Sequence, residues 1–421
     1  MVAADRKIES AENSATPLIK MSDVKAAAAG PSAAPGRLAK IFSLDDFQLA
    51  AERCLPRCVY GFVSGGVETN VSREANRAAF ADWSFRPRVL VNTVGRSQAA
   101  TLFGQTFRAP FGIAPMGSTS LGAFEGERVL AATAYEAGIP FILSGSTLMR
   151  MEKIIQANPD AWFQAYIPGD RATVGPLIAR AARAGYRTLV VTVDVPVNGN
   201  RENNARNGFS LPLRPTMRLA WDGITHPRWL VMNLCRTLLK NGMPHFENIT
   251  IERGPPLISP HAERSFGRRD SLTWDDIAWI RAQWKDTLVI KGILAPEDAR
   301  QAEAVGADGI IVSNHGGRQL DGAMASLRAL PEVAAAAGRL TVMLDSGIRR
   351  GTDVMKALAL GASFVFVGRP FLFAAAVADE AGVRHAITLL AEEIDRDMAL
   401  IGCTSLADLS PAFLVPASGR H

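Results

Sequence analysis

The sequence contains few cysteines. Four occur in 421 residues, and they are Cys54, Cys58, Cys235 and Cys403. This number and spacing match neither the dense framework of a disulfide-stapled protein nor the paired C-x-x-C pattern of a zinc site. We therefore expect reduced, structural thiols and no metal site.

Long apolar runs are also missing. No uncharged apolar segment approaches the ~18 residues that a membrane-spanning helix needs. Residues 1–10 carry charges and no apolar stretch, so no secretory signal is expected. The net charge of +5 suits an anionic ligand, a membrane face or nucleic acid alike, so over this length it decides nothing about partners. No nucleic-acid partner is expected. The protein is predicted to be cytoplasmic, or peripheral on the inner face of the cell membrane.

Aromatic residues are absent from the first 40 positions, which contain eleven alanines. Such a stretch buries too little apolar surface to offset the entropy lost on ordering. Residues 1–40 are therefore predicted to be a disordered tail, and residues 41–415 the folded region. A capping signal at Ser43 predicts a helix that runs to about Val63.

Short apolar runs rich in β-branched residues recur after Phe107. Eight are present, at 111–115, 140–144, 162–167, 188–194, 288–293, 309–315, 341–346 and 364–369. Alanine-rich helical stretches lie between them, for example 125–138, 172–185, 296–306 and 351–361. Apolar strands that alternate with helices form parallel sheets covered by helices. The pattern predicts an α/β fold, specifically a (β/α)8 TIM barrel.

One interval between strands is much longer than the others, and residues 195–287 are predicted to be an insertion after the fourth strand. Within 211–246, five Arg or Lys residues accompany a single acid, Asp222, and interleave with leucine, tryptophan and other apolar residues. This composition favours a basic amphipathic segment on an anionic bilayer surface. The alternative is a lid or a subunit contact that uses the same residues.

The carboxyl ends of the predicted strands carry polar groups, and barrel enzymes collect their chemistry there. The sixth strand ends in the run from Ser313 to Gly322, with the sequence SNHGGRQLDG. Two glycines after His315 let a ligand approach the backbone while the imidazole faces the cavity. Arg318 supplies a forked cation suited to a carboxylate. His315 is therefore predicted to be a catalytic base.

The seventh and eighth strands end in a pattern that favours phosphate. Asp345 to Arg349 and Gly368-Arg369 combine glycine backbone amides with two guanidiniums. This pattern suits a sugar phosphate, pyridoxal phosphate or a flavin nucleotide equally. No G-x-G-x-x-G follows a strand, so a tightly held dinucleotide is not expected.

Together with Lys291 to Leu294 and Thr192 to Asp194, these residues resemble the FMN-dependent 2-hydroxy acid dehydrogenase/oxidase family. The family includes glycolate oxidase, L-lactate dehydrogenases and mandelate dehydrogenases, and the resemblance covers about 42–415. The branch of membrane-associated (S)-mandelate dehydrogenases is the most similar one, on the basis of Gly117 and the runs Asp194 to Gly199, Asp222 to Trp229 and Asp345 to Gly347.

The resemblance implies roles for the substrate-facing residues. His315 takes a proton from the substrate α-carbon or hydroxyl, and Asp194 accepts a hydrogen bond from its ring. Arg318 and Arg201 hold the substrate carboxylate. Tyr166 binds near the hydroxyl or the carboxylate.

The resemblance also implies FMN as cofactor. Lys291 lies against the N1–C2=O edge of the flavin, where its cation favours electron acceptance. Ser144, Gln164 and Thr192 contact the ring. Further contacts with the ring or the phosphate are expected from Pro115, Met116, Gly117, Asp345, Gly347, Arg349, Gly368 and Arg369.

Two residues depart from the family pattern. Phe62 stands where the family has a carboxylate-binding tyrosine, and Met116 replaces a threonine beside the flavin. In addition, Ser146 occupies the place of a bulky tryptophan in short-chain oxidases, and Gly117 leaves further room. We therefore expect a substrate side chain larger than that of glycolate, with an aromatic side chain among the candidates.

The implied reaction is oxidation of a lactate- or mandelate-like (S)-2-hydroxy acid to the 2-oxo acid. The insertion favours a membrane quinone or cytochrome as electron acceptor, which makes the protein a dehydrogenase. The alternatives are an oxidase that uses O2, an FMN-binding barrel without turnover, and a sugar-phosphate aldolase or isomerase on the same fold. A homotetramer is expected by analogy alone.

Overall fold

The computed structural model describes residues 35–210, 212–214, 216–261 and 269–417. Residues 1–34, which make up most of the predicted tail, lie outside the described residues. The last part of that predicted tail contains a short helix, Pro35–Leu38. No disulfide joins the four cysteines, all of which are described.

Eight parallel strands form the centre of the described fold. In chain order they are β1 (Phe111–Ile113), β2 (Ile142–Ser144), β3 (Trp162–Tyr166), β4 (Thr188–Thr192), β5 (Thr287–Ile293), β6 (Gly309–Val312), β7 (Thr341–Asp345) and β8 (Phe364–Val367). Each strand from β2 to β8 pairs with the next, and β8 pairs with β1. A parallel bridge between Ile113 and Phe141 brings β1 to the start of β2 and closes the ring. The predicted TIM barrel is confirmed.

A helix follows each strand and covers the outside of the barrel. These helices are α1 (Gly126–Ala137), α2 (Met151–Ala157), α3 (Arg171–Ala184), α4 (Trp274–Gln283), α5 (Pro296–Ala304), α6 (Ser326–Ala336), α7 (Gly351–Ala359) and α8 (Arg369–Ile401). Helix α8 is kinked at Ala378 and Asp379, whose backbone is not helical.

Successive side chains of a strand point to opposite faces, so the core has one part outside the barrel and one part inside it. Leu189, Val191 and their equivalents pack outward against the helices. Val190, Val289 and Ile311 pack with each other inside the barrel. The hairpin of Ala100–Leu102 and Gln105–Phe107 packs against this interior cluster next to the first residues of β3 and β8, so it closes the amino end of the barrel. The carboxyl end is left for the site.

The helix predicted to run from Ser43 to Val63 is two helices, Leu44–Cys54 and Arg57–Ser64. The capping box at Ser43 is present. The break lies at Leu55 and Pro56, neither of which has helical backbone, because proline lacks an N–H and disfavours helical backbone in the residue before it. Val71–Ala78 and the 3-10 turn Ala79–Asp82 follow, and Trp83–Phe85 pairs with Leu414–Pro416 near the end of the chain.

The insertion lies between β4 and α4. Its helical elements are Glu202–Arg206, Met217–Ile224, Pro227–Trp229, a π-helical turn Leu230–Cys235, and Arg236–Asn241. The predicted range 195–287 also contains α4, which is a regular barrel helix. Within the described ranges, no helix is both long and apolar enough to cross a bilayer.

Candidate active site

A cavity of about 440 Å³ opens among the strand-to-helix loops. It gathers residues from the carboxyl ends of the strands, from helix Arg57–Ser64 and from the insertion. Every predicted site residue except Asp194 and Ser144 lines it: Pro115, Met116, Gly117, Gln164, Tyr166, Thr192, Arg201, Lys291, His315, Arg318, Asp345, Gly347, Arg349, Gly368 and Arg369. Residues separated by up to 254 positions in the chain thus face one space.

His315 and Asp194 form a hydrogen-bonded pair. His315 Nδ1 lies 2.9 Å from Asp194 Oδ1, and both side chains are largely buried. The pair depends on the turn after β6, where His315, Gly316 and Gly317 all have positive φ angles. A Cβ on Gly317 would lie 2.4 Å from the backbone nitrogen of Arg73, so only glycine is accommodated there.

The environment sets the charge state of this pair. Burial lowers the pKa of His315 more than Asp194 raises it, and Lys291 and Arg201 lower it further. Burial alone would raise the pKa of Asp194, but its attraction to His315 and Lys291 outweighs burial and keeps the pKa below its ordinary value. At neutral pH the carboxylate therefore accepts the Nδ1–H of a neutral imidazole, and Nε2 is left as a proton acceptor.

Two of the arginines that line the cavity, Arg318 and Arg201, are those predicted to hold a carboxylate. Arg318 Nη1 donates to the carbonyls of Phe62 and Gly65, at 2.9 and 2.8 Å, which leaves its other N–H groups for a ligand. Arg201 donates through Nη2 to Gln319 Oε1 at 2.8 Å. Burial, and then repulsion from Arg201 and Arg369, hold the pKa of Arg318 well below its usual value. A ligand carboxylate would stabilise both charged forms.

Tyr166 lies between His315 and a further cation. Its Oη is 3.4 Å from His315 Nε2. On the other side, Arg269 Cζ lies 4.8 Å from the centroid of the Tyr166 ring, a cation–π contact. Both arginine and tyrosine line the cavity, so the phenol and a guanidinium face any substrate together.

Lys291 is a buried cation in an ion pair. Its Nζ lies 3.1 Å from Asp345 Oδ2 and donates to Ser313 Oγ at 2.8 Å. Burial alone would lower the pKa of Lys291, but Asp345 and Asp194 outweigh it and raise the pKa, so the amine stays charged. The pairing register of β5 with β6 shifts between Lys291 and Ile293. Gly292, at φ +111° within this bulge, leaves the space in which Asp194 lies, because a Cβ would be 2.6 Å from Asp194 Cβ.

The loops after β7 and β8 form a cationic end of the cavity. Gly347 has a φ of +88°, and a Cβ there would lie 2.2 Å from Asn76 O. Burial and repulsion from Arg77 lower the pKa of Arg349 to about 10. Burial and repulsion from Arg349 lower the pKa of Arg369 to about 9. An anionic group bound between the two guanidiniums would relieve this repulsion.

Two buried polar groups lie at the middle of the cavity wall. Gln164 Nε2 and Thr192 Oγ1 have no hydrogen-bond partner among the described residues. Ser144 does not line the cavity. Its Oγ donates to Gln164 Oε1 at 2.9 Å, which turns the amide nitrogen of Gln164 towards a ligand. Since buried polar groups are normally paired, the site requires a polar ligand edge here.

A family model described as FMN-dependent dehydrogenase matches residues 51–416. The chain belongs to the FMN-dependent dehydrogenase family. Membership confirms the predicted cofactor, FMN, and the predicted class of enzyme, an oxidoreductase.

Relatives in this family share most of the chain. An (S)-mandelate dehydrogenase from Pseudomonas putida is 38% identical over 375 residues, which are 89% of this chain and 94% of that protein. An L-lactate dehydrogenase from Pectobacterium atrosepticum is 40% identical over 381 residues, 89% of this chain and 97% of that protein. The crystal structure of a monotopic membrane protein, (S)-mandelate dehydrogenase, is similar with a TM-score of 0.84 and 37% identity, and it covers 90% of this chain and 100% of that chain.

The chain's own residues fit FMN. The unpaired Gln164 Nε2 and Thr192 Oγ1 match the polar edge of a flavin ring, and Lys291 offers a fixed cation beside them. Arg349 and Arg369 offer the charges that a phosphate monoester needs. Gln164, Thr192 and Lys291 would thus hold the flavin ring. Arg349 and Arg369 would hold the phosphate.

Several residues of the site could not be predicted from the sequence. Arg269 and the apolar lining residues Phe209, Phe246 and Leu257 come from the insertion, where no periodic pattern indicates which side chains return to the barrel. Gly292 did carry a signal, since a glycine inside a strand pattern indicates a bulge. Ser144, which the resemblance predicts to contact the ring, lies behind Gln164 and donates to its amide oxygen.

Proposed function

We propose that this FMN-dependent dehydrogenase oxidises an (S)-2-hydroxy acid to the 2-oxo acid. The observation that carries the proposal is the buried His315–Asp194 pair, joined at 2.9 Å, in the same cavity as Arg318 and Arg201. In this arrangement the guanidiniums can hold the carboxylate of a small hydroxy acid while the base takes a proton from its hydroxyl or α-carbon. The mandelate and lactate dehydrogenases among the relatives support the same substrate class.

His315 Nε2 takes one proton from the substrate, either from the hydroxyl or from the α-carbon. In the first case the α-hydrogen leaves together with the electron pair, and in the second the hydroxyl proton is released as the carbonyl of the 2-oxo acid forms. The resulting imidazolium is stabilised by Asp194, whose carboxylate stays ionised because its pKa is low. The Nδ1 contact also fixes the ring, so that Nε2 points away from Asp194. The hydroxyl of Tyr166 lies 3.4 Å from Nε2 and donates a hydrogen bond to the hydroxyl oxygen of the substrate.

Arg318 and Arg201 hold the substrate carboxylate and so fix the α-carbon relative to Nε2. Both guanidiniums are anchored by backbone or amide oxygens, which limits the freedom lost on binding. When bound, FMN supplies the acceptor for the two electrons of the substrate. Lys291, which its ion pair with Asp345 helps to keep charged, would supply a positive charge next to the flavin ring.

The cavity supports an aromatic substrate side chain. Gly117 lies against Ser146, and a Cβ on the glycine would lie 3.1 Å from Ser146 Cβ. The small side chains at both positions leave room for a larger substrate side chain. Phe209, Phe246 and Leu257 add an apolar lining from the insertion. A phenyl group next to the reacting carbon would bury apolar surface here, whereas glycolate would bury none.

Anaerobic mixing of the flavin-loaded protein with single hydroxy acids tests the proposal. The panel contains (S)-mandelate, (S)-lactate, glycolate and, as a matched control for handedness, (R)-mandelate. We expect the visible flavin band to bleach with the largest second-order rate constant of reduction for (S)-mandelate, and not to bleach with (R)-mandelate. A flavin that no member of the panel bleaches would favour an FMN-binding barrel without hydroxy acid turnover.

We also propose that the insertion docks on an anionic membrane surface. Met217 and Leu239 are almost fully exposed, and Trp221 is 68% exposed. Arg218, Lys240 and further cations lie among them. Asp222, the single acid within 211–246, turns inward to the helix Arg57–Ser64, so it does not oppose an anionic surface. A membrane would also supply the quinone or cytochrome that we propose as electron acceptor.

Removing apolar contacts is expected to weaken membrane binding. The double variant Trp221→Ser/Leu239→Ser should lower partitioning onto phosphatidylglycerol-containing vesicles by roughly a hundredfold, because each side chain gives up about 1–2 kcal/mol of apolar burial. Co-sedimentation measures this, with the exposed Leu400→Ser in α8 as control. Unchanged partitioning together with a change in subunit number would instead assign the face to subunit contact.

Mixing the substrate-reduced protein with oxygen or with a soluble quinone identifies the acceptor class. Fast reoxidation by the quinone and slow reoxidation by oxygen support a dehydrogenase. Rapid oxygen consumption with release of peroxide would make the protein an oxidase. The homotetramer that we propose by analogy is checked by light scattering in detergent.

A further inference from the structure

We propose that Asp222, in the insertion, is a positioning residue for the substrate carboxylate. It acts through the helix Arg57–Ser64, which it holds at one end while the other end fixes Arg318. The proposal rests on the proposed function only in naming the bound group as a substrate carboxylate. The contacts that carry it are independent of that function.

Asp222 caps the start of this helix from far away in the chain. Its Oδ1 accepts a hydrogen bond from the backbone nitrogen of Arg57 at 2.9 Å, and its Oδ2 accepts one from that of Cys58 at 3.0 Å. The residue that precedes the helix, Pro56, makes no side-chain cap of its own. A carboxylate here both satisfies free N–H groups and complements the positive end of the helix dipole.

The far end of the same helix holds the cavity arginines. The carbonyls of Phe62 and Gly65 accept from Arg318 Nη1 at 2.9 and 2.8 Å. Those of Val63 and Gly65 accept from Arg369 Nε and Nη2, both at 2.9 Å. Arg369 is also held by Gly316 O, whereas both side-chain bonds of Arg318 go to this helix end. Displacement of the helix would therefore affect Arg318 first.

An eight-residue helix has little stability of its own, so its position depends on its end contacts. Its flank packs on another part of the insertion, where Asn203 Nδ2 donates to Gly61 O at 2.8 Å and a Cβ on Gly61 would lie 2.6 Å from Asn207 Cγ. We expect this flank contact to keep the helix folded when the cap is lost. Loss of Asp222 is therefore expected to loosen the helix end rather than to unfold the protein.

The test compares Asp222→Asn, which keeps the shape but loses the charge and one acceptor, with Asp222→Ala, which loses both contacts. Asp170→Asn is the control for loss of a capping carboxylate. Asp170 is the local N-cap of α3, accepts from Ala172 N at 3.0 Å and does not line the cavity. Each flavin-loaded variant is titrated with benzoylformate, a 2-oxo acid, and with mandelamide, which has no carboxylate. Flavin absorbance reports binding only from molecules that contain flavin.

We expect the Asp222 variants to bind benzoylformate roughly tenfold more weakly, and to show a similar rise in KM for (S)-mandelate with kcat changed far less. Binding of mandelamide should be unchanged, because it does not depend on the charge of Arg318. Equal weakening of both ligands, loss of flavin from both variants, or unchanged binding of benzoylformate would overturn the proposal. If no hydroxy acid reduces even the unaltered protein, the proposed function fails, but the two titrations still decide the role of Asp222.

Discussion

Replacing His315 with glutamine is expected to leave FMN bound and to lower the rate constant for anaerobic flavin reduction by roughly 10⁴-fold. Glutamine can occupy the space beside Asp194, but it cannot take a proton from the substrate. The residues that we assign to the cofactor, among them Lys291 and Arg369, are not altered by this change. Stopped-flow absorbance at the flavin band measures the rate.

The chain offers a matched control for this change. His385 lies in α8, where its Nε2 donates to Ile41 O at 2.9 Å, outside the cavity lining. His385→Gln should reduce its flavin at the unaltered rate. If His315→Gln reduces its flavin at a rate within tenfold of the unaltered protein, then His315 is not the base.

The second large effect is expected from Arg318→Met. Loss of two charge-assisted hydrogen bonds to the substrate carboxylate, about 1.5–3 kcal/mol each, predicts a fall in kcat/KM of roughly 10³-fold. Arg318→Lys keeps the positive charge but loses the two parallel N–H donors, so its kcat/KM should lie between those of Arg318→Met and the unaltered protein. Steady-state kinetics with (S)-mandelate and a quinone acceptor measure both variants.

Flavin occupancy controls for indirect damage, since Arg318 also binds the carbonyls of Phe62 and Gly65. The exposed Arg183→Met on α3 is the surface control. If Arg318→Met retains its flavin and its kcat/KM stays within a factor of ten, then Arg201 alone holds the carboxylate.

The barrel could be predicted because its signal is local. Each strand is a short apolar run buried on both faces, and such runs are visible without knowledge of the partner strand. The rule that chemistry lies at the carboxyl ends then places His315, Lys291 and Arg369 together, although they come from different strands. The structure brings these residues to one cavity.

Contacts made by irregular segments could not be predicted in the same way. Asp222 and Arg269 belong to the insertion, and nothing in their immediate sequence indicates that one caps a distant helix and the other packs on Tyr166. Their positions depend on long-range packing. The break at Pro56, in contrast, was available from the sequence, because proline and the residue before it both disfavour a continuous helix.

The pH dependence of anaerobic flavin reduction by (S)-mandelate tests the central claim most directly, namely that neutral His315 takes the substrate proton. Burial lowers the pKa of His315, so the base stays neutral until the pH falls below the ordinary histidine value of about 6.5. We predict a rate that is constant above this value and is lost below it, with the acid limb moved to lower pH in Asp194→Asn, where the carboxylate that raises the pKa is gone. An acid limb well above pH 6.5, or one that persists unchanged in His315→Gln, would contradict the account.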